Sequence, residues 1–333
     1  MTTPLLVLLS AFLIAIGATP LARYLAVRTG TVDAPAQRKI HSAPMPLLGG
    51  LAIYAGCVGA LLVFGDRFYI RELIAIVAAA TLVSACGLVD DRWTLHAYPK
   101  LIGQACAAAI LIYAGIQIQL FETPWYNWAL TMLWIVGVTN ALNLLDNMDG
   151  LSSGVAAVCG IFFLLLAAQS GQILVSALAA GLIGACLGFL RYNFNPASIF
   201  MGDTGSLFIG LILAVLGIKL RFPSNITAIT WMIPLAVLAL PLFDTTLVFV
   251  SRLRRGRNPL TTPGKDHVSH RLVAGGMTRR EAVLSCYLLA GLGGVFASYI
   301  ASSTTIDAYV AGAGLLGLFV AGIVYFEVQH QGG

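Results

Sequence analysis

Uncharged apolar runs of about 20 residues, the length that carries a helix across some 30 Å of hydrocarbon, recur from one end of this 333-residue chain to the other. They constrain the fold more than any other feature. Only 10% of the residues are charged against 59% hydrophobic, where a soluble domain has roughly a quarter charged, so a water-facing surface is excluded. Strand-type alternation is absent, which excludes a β-barrel. The pattern predicts an all-α, polytopic membrane bundle forming one domain over residues 1–333. About eleven spans are expected, near 4–22, 47–64, 72–89, 99–118, 126–144, 153–169, 173–190, 205–218, 226–250, 281–300 and 306–326.

No Lys or Arg precedes the first run, whereas Arg23, Arg28, Arg38 and Lys39 follow it. That polarity suits an uncleaved helix with its N-terminus outside. Threading onward alternately leaves four basic residues outside (Arg67, Arg71, Lys219 and Arg221) and the other fifteen of nineteen inside, with the C-terminus inside. This positive-inside bias explains the net charge of +5 by topology and anionic lipid headgroups, without nucleic acid. The six cysteines lie in or beside apolar runs with no CxxC spacing, which favours buried small hydrophobes over disulfides or zinc.

The same threading puts Asp66, Glu72, Glu122 and Asp307 outside, each near a short loop. It puts ten acids inside, eight of them Asp, and five of those eight fall in three signatures. The first is Gly87-Leu88-Val89-Asp90-Asp91-Arg92. Adjacent carboxylates repel each other and sit badly at a helix C-terminus; a compensating cation is expected there, with a solvated helix end as the alternative. In the second, Asn140, Asn143 and Asp146 step by three along one helix face. Asn147 to Gly150 are expected to loosen into a turn that brings Asp149 back to the same place. In the third, Arg191 to Ser206, Pro196 breaks the helix. Gly202 and Gly205 bracket Asp203, so backbone NH groups at a helix start are expected to face phosphate. Tyr192, Phe194 and Phe200 beside Asn193 offer stacking and edge contacts for a base.

The last inner loop is the most basic. Arg252, Arg254, Arg255 and Arg257 suit membrane-surface anchoring, while Lys265, His267, His270 and Arg271 make a donor cluster suited to phosphate. Zinc is the competing reading for the two histidines. Mg²⁺, which takes oxygen ligands from one or two carboxylates plus phosphates and water, unites the acidic and basic loops in phosphoryl transfer.

These motifs closely resemble the polyprenyl-phosphate N-acetylhexosamine-1-phosphate transferase family over nearly the whole chain: the paired Asp after Gly-Leu-Val, the Asn-x-x-Asn-x-x-Asp-x-x-Asp-Gly-Leu run, Phe-Met-Gly-Asp-x-Gly, and the basic His loop. The resemblance implies a multi-pass enzyme of the cytoplasmic (inner) membrane, its active site on the cytoplasmic face. It would transfer an N-acetylhexosamine-1-phosphate from a UDP-sugar to undecaprenyl phosphate and release UMP, starting a cell-envelope glycan. It further implies Asp203 as the principal Mg²⁺ ligand (Mn²⁺ an alternative), with Asp90, Asp91 and Asp146 around metal and diphosphate. Asn143, Asn193, Phe200 and Asp149 match nucleotide-side positions, and Lys39 and Lys100 look like phosphate-side cations. Lys265, His267, His270 and Arg271 fall to the donor loop, and relatives of this kind point to a homodimer. In-line attack by the lipid phosphate is the expected mechanism, Asp90 orienting or deprotonating it, with a covalent aspartyl intermediate as the alternative.

Two departures stand out. His267-Val-Ser-His-Arg lacks the three consecutive histidines of the muramoyl-pentapeptide branch and lies nearer the His-x-His-His of the GlcNAc branch, with Ser269 replacing the inner His. Asn147-Met148 replaces a more usual Gly-Ile or Gly-Leu. GlcNAc is therefore the favoured sugar, with another UDP-amino-sugar or the muramoyl-pentapeptide donor as alternatives. A transporter would carry its acids near the bilayer midplane rather than at one edge, and a CDP-alcohol phosphotransferase would need Asp-Gly-x-x-Ala-Arg where Asp149-Gly150 is followed by Leu-Ser-Ser-Gly.

Overall fold

The computed structural model describes residues 2–33, 44–64, 69–222, 225–259, 262 and 264–329. Among them are thirteen helices. In chain order these are α1 (Thr2–Thr29), α2 (Gly49–Phe64), α3 (Ile70–Trp93), α4 (Ala97–Tyr113), α5 (Pro124–Leu145), α6 (Leu151–Gln169), α7 (Ile173–Asn193), α8 (Gly202–Lys219), α9 (Thr227–Val237), α10 (Ala239–Arg254), α11 (Val268–Ala274), α12 (Arg279–Ser302) and α13 (Thr305–Gln329). Two short strands, β1 (Val32–Asp33) and β2 (Met45–Pro46), pair antiparallel with Val32 opposite Pro46. Eight helices are long and apolar enough to cross a membrane, nine if the bent pair α9–α10 is one span, with α2 and α4 as shorter apolar helices. The protein is a polytopic membrane helix bundle.

Several spans differ from their sequence boundaries. The run 226–250 is two helices bent by 75° at Leu238. Pro234 and Pro241 have no NH to return to the carbonyls four residues back, which opens the helix between them. The fourth run stops at Tyr113, because Gly115 (φ +82°) ends α4 and Ile116 to Phe121 turn back onto Thr131 and Asn127. α1 continues past its expected end to Thr29, and α11 is a helix that no apolar run announced.

α7 and α8 are buried along most of their length, whereas α13 is almost wholly exposed along its flanks. α8 packs against α2, α3 and α5, so its first turn emerges at the middle of one end of the bundle. Side-chain contacts sort the segments into two ends as the threading predicts. At one end Lys219 pairs with Glu72 at 2.6 Å and Gln172 bonds the backbone of Arg221. At the other, Arg92 reaches the Thr29 carbonyl, Lys100 reaches Asp203, and Arg280 reaches the Asn195 carbonyl. The acidic signatures and the basic loop all lie at this second end.

Candidate active site

The site is built outward from the first turn of α8. Asp91 Oδ1 accepts from Asp203 N at 2.7 Å, and Oδ2 accepts from Thr204 N at 3.1 Å and Thr204 Oγ1 at 2.7 Å. A carboxylate on the orphan amides of a helix start is favoured by hydrogen bonding and by the helix dipole. Two glycines make the approach close enough. A Cβ on Gly87 would overlap the backbone of Asp203 and Thr204, and one on Gly202 (φ +71°) would strike the Asp91 carboxylate. This corrects one expectation: the α8 amides expected to face phosphate are occupied by Asp91, which caps that helix start while also lining the cavity described below.

Its neighbour Asp90 faces elsewhere. Asp90 Oδ1 accepts from Leu95 N at 2.6 Å, and Oδ2 lies 3.1 Å from Lys100 Nζ, which also reaches Asp203 Oδ2 at 2.8 Å. The cation that the acidic pair called for is thus Lys100, held between Asp90 and Asp203. Asn143 Nδ2 donates to Asp203 Oδ1 and to Ser206 Oγ, both at 2.9 Å, so Asn143 orients Asp203. The four aspartates do not close on one ion position: among the described residues no three His, Cys, Asp or Glu do.

α5 ends at Leu145, and residues 146–150 form the turn that the spacing of the acids predicted. Among the described residues the half-buried Asp146 carboxylate has no hydrogen-bond or ion-pair partner. Burial, then the charges of Asp203, Asp91 and Asp149, push its pKa up to about 8. Asp149 Oδ2 accepts from Asn195 Nδ2 and Ala197 N. Asn193, expected on the nucleotide side, holds the turn itself. Its Oδ1 accepts from Gly150 N at 3.0 Å and its Nδ2 donates to the Ile199 carbonyl, so it ties two loops together while also lining the cavity described below.

The basic loop divides in the same way. His267 Nδ1 lies 2.7 Å from Asp244 Oδ2, and Val268 N donates to Asp244 Oδ1. Arg271, 8% exposed, gives its guanidinium to Glu327, Ser251 Oγ and the carbonyls of Asp266 and Phe326. Both were expected to contact the donor; both are buried clamps, because each found an internal acid. His270 and Lys265 do line the cavity. Burial first, then His267 and Lys265, push the His270 imidazole below its ordinary pKa, which favours a neutral ring at pH 7.

These elements enclose a cavity of about 1000 Å³. One side presents Asp91, Asn143, Asp146, Asn147, Asp149 and Asp203, with Phe200 and Met201 beside them. The other presents Lys265, His270, Arg257 and Arg279. The side chains of Arg257, Lys265 and Arg279 have no partner among the described residues. Arg257 and Arg279 are site residues that sequence reasoning missed, since an Arg run beside a membrane and an Arg at a helix start look alike whether they face headgroups or a cavity. Asp244 was missed too, although an acid inside an apolar helix is itself a signal for a buried partner. Asp90, Lys100, His267 and Arg271 do not line the cavity, and Lys39 lies outside the described residues.

Residues 73–221 match the family model described as glycosyl transferase family 4. The chain is also similar, at 37% identity over 86% of its length and 82% of the relative's, to a "Probable undecaprenyl-phosphate N-acetylglucosaminyl 1-phosphate transferase" of Bacillus subtilis. The chain belongs to glycosyl transferase family 4. A second family relative is the "Decaprenyl-phosphate N-acetylglucosaminephosphotransferase" of Mycolicibacterium smegmatis, 36% identical over 86% of this chain and 79% of that one. A third is the "Undecaprenyl-phosphate alpha-N-acetylglucosaminyl 1-phosphate transferase" of Salmonella typhimurium, 30% identical over 87% and 83%.

As a family 4 member the protein is a membrane-embedded transferase. The part matching the family model runs from α3 to just beyond α8 and holds Asp91, Asn143, Asp146, Asn147, Asp149 and Asp203, together with Lys100 and Asn193; Asp33, which also lines the cavity, precedes it. The basic side, from Arg257 to Arg279, lies beyond that match.

Proposed function

We propose that this protein transfers N-acetylglucosamine-1-phosphate from its UDP-sugar to a polyprenyl phosphate, undecaprenyl phosphate by preference, and releases UMP. The observation that carries this reading is the divided cavity. Asp146, beside Asp203, lines the same cavity as Arg257, Lys265 and Arg279, and the side chains of Asp146 and of these three cations have no partner among the described residues; this mixed lining suits a metal-bound diphosphate. The named activities of the relatives support the sugar and the lipid class.

Asp146 and Asp203 are hard oxygen donors and fit Mg²⁺, which ordinarily takes one or two carboxylates and completes its shell with substrate phosphate and water. When bound, Mg²⁺ supplies charge neutralisation on the diphosphate. Arg257, Lys265 and His270 hold the donor's diphosphate from the other side, and Arg279 closes that rim. An oxygen of the lipid phosphate attacks the sugar-linked phosphorus in line. The new P–O bond makes a lipid diphosphate, the bridging P–O bond breaks, and UMP leaves with that oxygen. The acceptor is already an anion near neutral pH, so the work left to the protein is positioning and electrostatics. The reaction lies on the cytoplasmic side, where UDP-sugars are made.

The test is UMP release by purified protein given undecaprenyl phosphate, Mg²⁺ and a panel of UDP-sugars. Release with UDP-GlcNAc, abolished by EDTA and restored by Mg²⁺, is the expected result. Preference for another UDP-amino-sugar would change the donor, and no UMP from any donor would overturn the reading.

A further inference from the structure

α11 has seven residues, too few to hold a helix by propagation alone, so its position is decided by what its side chains grip. Two grips lead away from the cavity. His267 and Val268 hold Asp244 of α10, and Arg271 holds Ser251 of α10 and Glu327 of α13. A third leads toward it. Ser269, 1% exposed, donates its hydroxyl to Asn147 Oδ1 at 2.6 Å, while Asn147 Nδ2 donates to the Leu144 carbonyl at 3.0 Å. Both ends of the Asn147 amide are thereby oriented. Asn147 adjoins Asp146 and lines the cavity, as does His270, the residue after Ser269.

We propose that Ser269 is a positioning residue: through Asn147 its hydroxyl sets the spacing between the basic α11 side of the cavity and the Asp146–Asp149 turn, and so sets how tightly the sugar-nucleotide donor is gripped. The proposal rests on the function proposed above. Ser269 does not line the cavity, so it acts only through its neighbours. Removing the hydroxyl leaves Asn147 Oδ1 without its buried donor, and an acceptor in that position recruits water or draws the backbone away. α11 then retains the clamps to α10 and α13 and its packing on α12, but no hydrogen bond of its own to the turn. A looser grip weakens donor binding equally in ground and transition states, which raises KM and leaves kcat in place.

The test uses the full-length chain in lipid nanodiscs, with Ser269→Ala, Ser269→Thr and Asn147→Ala. For Ser269→Ala the donor KM is expected to rise about tenfold with kcat within about twofold and the polyprenyl-phosphate KM unchanged. Backbone amides of 268–274 should exchange hydrogen faster in Ser269→Ala, and Ser269→Thr, which keeps the hydroxyl, should restore both readouts. Asn147→Ala breaks the same bond from the other side, so the double variant should be no worse than the more affected single. Full additivity, or unchanged exchange and unchanged donor KM in Ser269→Ala, would overturn the proposal. So would an equal loss in kcat and both KM values with a lower melting temperature, since that marks general packing. Should the wild type turn over no UDP-GlcNAc, the proposed function fails, while the exchange experiment still decides whether Ser269 holds α11 to the turn.

Discussion

Asp91 and Asp146 are both carboxylates at the ends of apolar helices, yet their surroundings give them opposite work. Asp91 has three donors from the start of α8, and Asp146 has none among the described residues. Asp91→Ala is therefore expected to lower stability by about 1 kcal/mol, the ordinary cost of losing a helix cap, and to reduce turnover by displacing Asp203; thermal melts and UMP release measure the two effects. Asp146→Asn should leave the melting temperature intact, because no hydrogen bond is lost. Turnover should fall at least about 100-fold, roughly 2.7 kcal/mol at 1.36 kcal/mol per tenfold. Retained activity in that variant would remove Asp146 from the site. The sequence singled out both residues but could not separate them, since the partner of Asp91 is a backbone 112 residues away.

The loop between α10 and α11 behaves as an element although little of it is regular. Asp266 pairs with buried Arg252 at 3.4 Å and with Arg255, and Arg252 also caps the Pro259 carbonyl. Removing one partner of a buried pair leaves the other charge uncompensated, so Asp266→Asn is expected to cost about 3 kcal/mol, read as a lower melting temperature at neutral pH. Burial alone would raise the Asp266 pKa, but Arg255 and Arg252 outweigh it and hold the carboxyl below its ordinary value of 3.8. The stabilisation is thus complete above pH 3.8 and lost as pH falls through the lower, folded value. The difference between wild type and Asp266→Asn should vanish in that acid range. The four-Arg run suggested membrane anchoring for the whole cluster. In the fold, Arg252 and Arg255 hold the loop, Arg254 reaches Glu327, and Arg257 turns into the cavity.

At the scale of the molecule, the division of charged residues between two ends carries a prediction about orientation. With the native cysteines replaced, a cysteine at position 257 or 279 should react with a membrane-impermeant maleimide only from the cytoplasmic side, and one at 221 only from the outside. Labelling in intact cells against inverted vesicles distinguishes them, and the reverse pattern would invert the topology. The bend between α9 and α10 belongs to this scale as well. Asp244 stands on the second of the two bent helices, where His267 meets it at 2.7 Å and ties the basic loop to α10.

The sequence by itself determined that this is a helical membrane protein, which of its polar segments gather at one end, and which aspartates are out of place in hydrocarbon, because hydropathy, charge bias and i, i+3 spacing are local properties. Only the tertiary structure decided the partner of each polar group: Lys100 between two acids, Asp91 on the α8 amides, His267 and Arg271 turned inward, Arg257 and Arg279 turned to the cavity. A side chain's role depends on what distant helices bring within about 3 Å of it, and helix crossings are set by packing that no single segment contains.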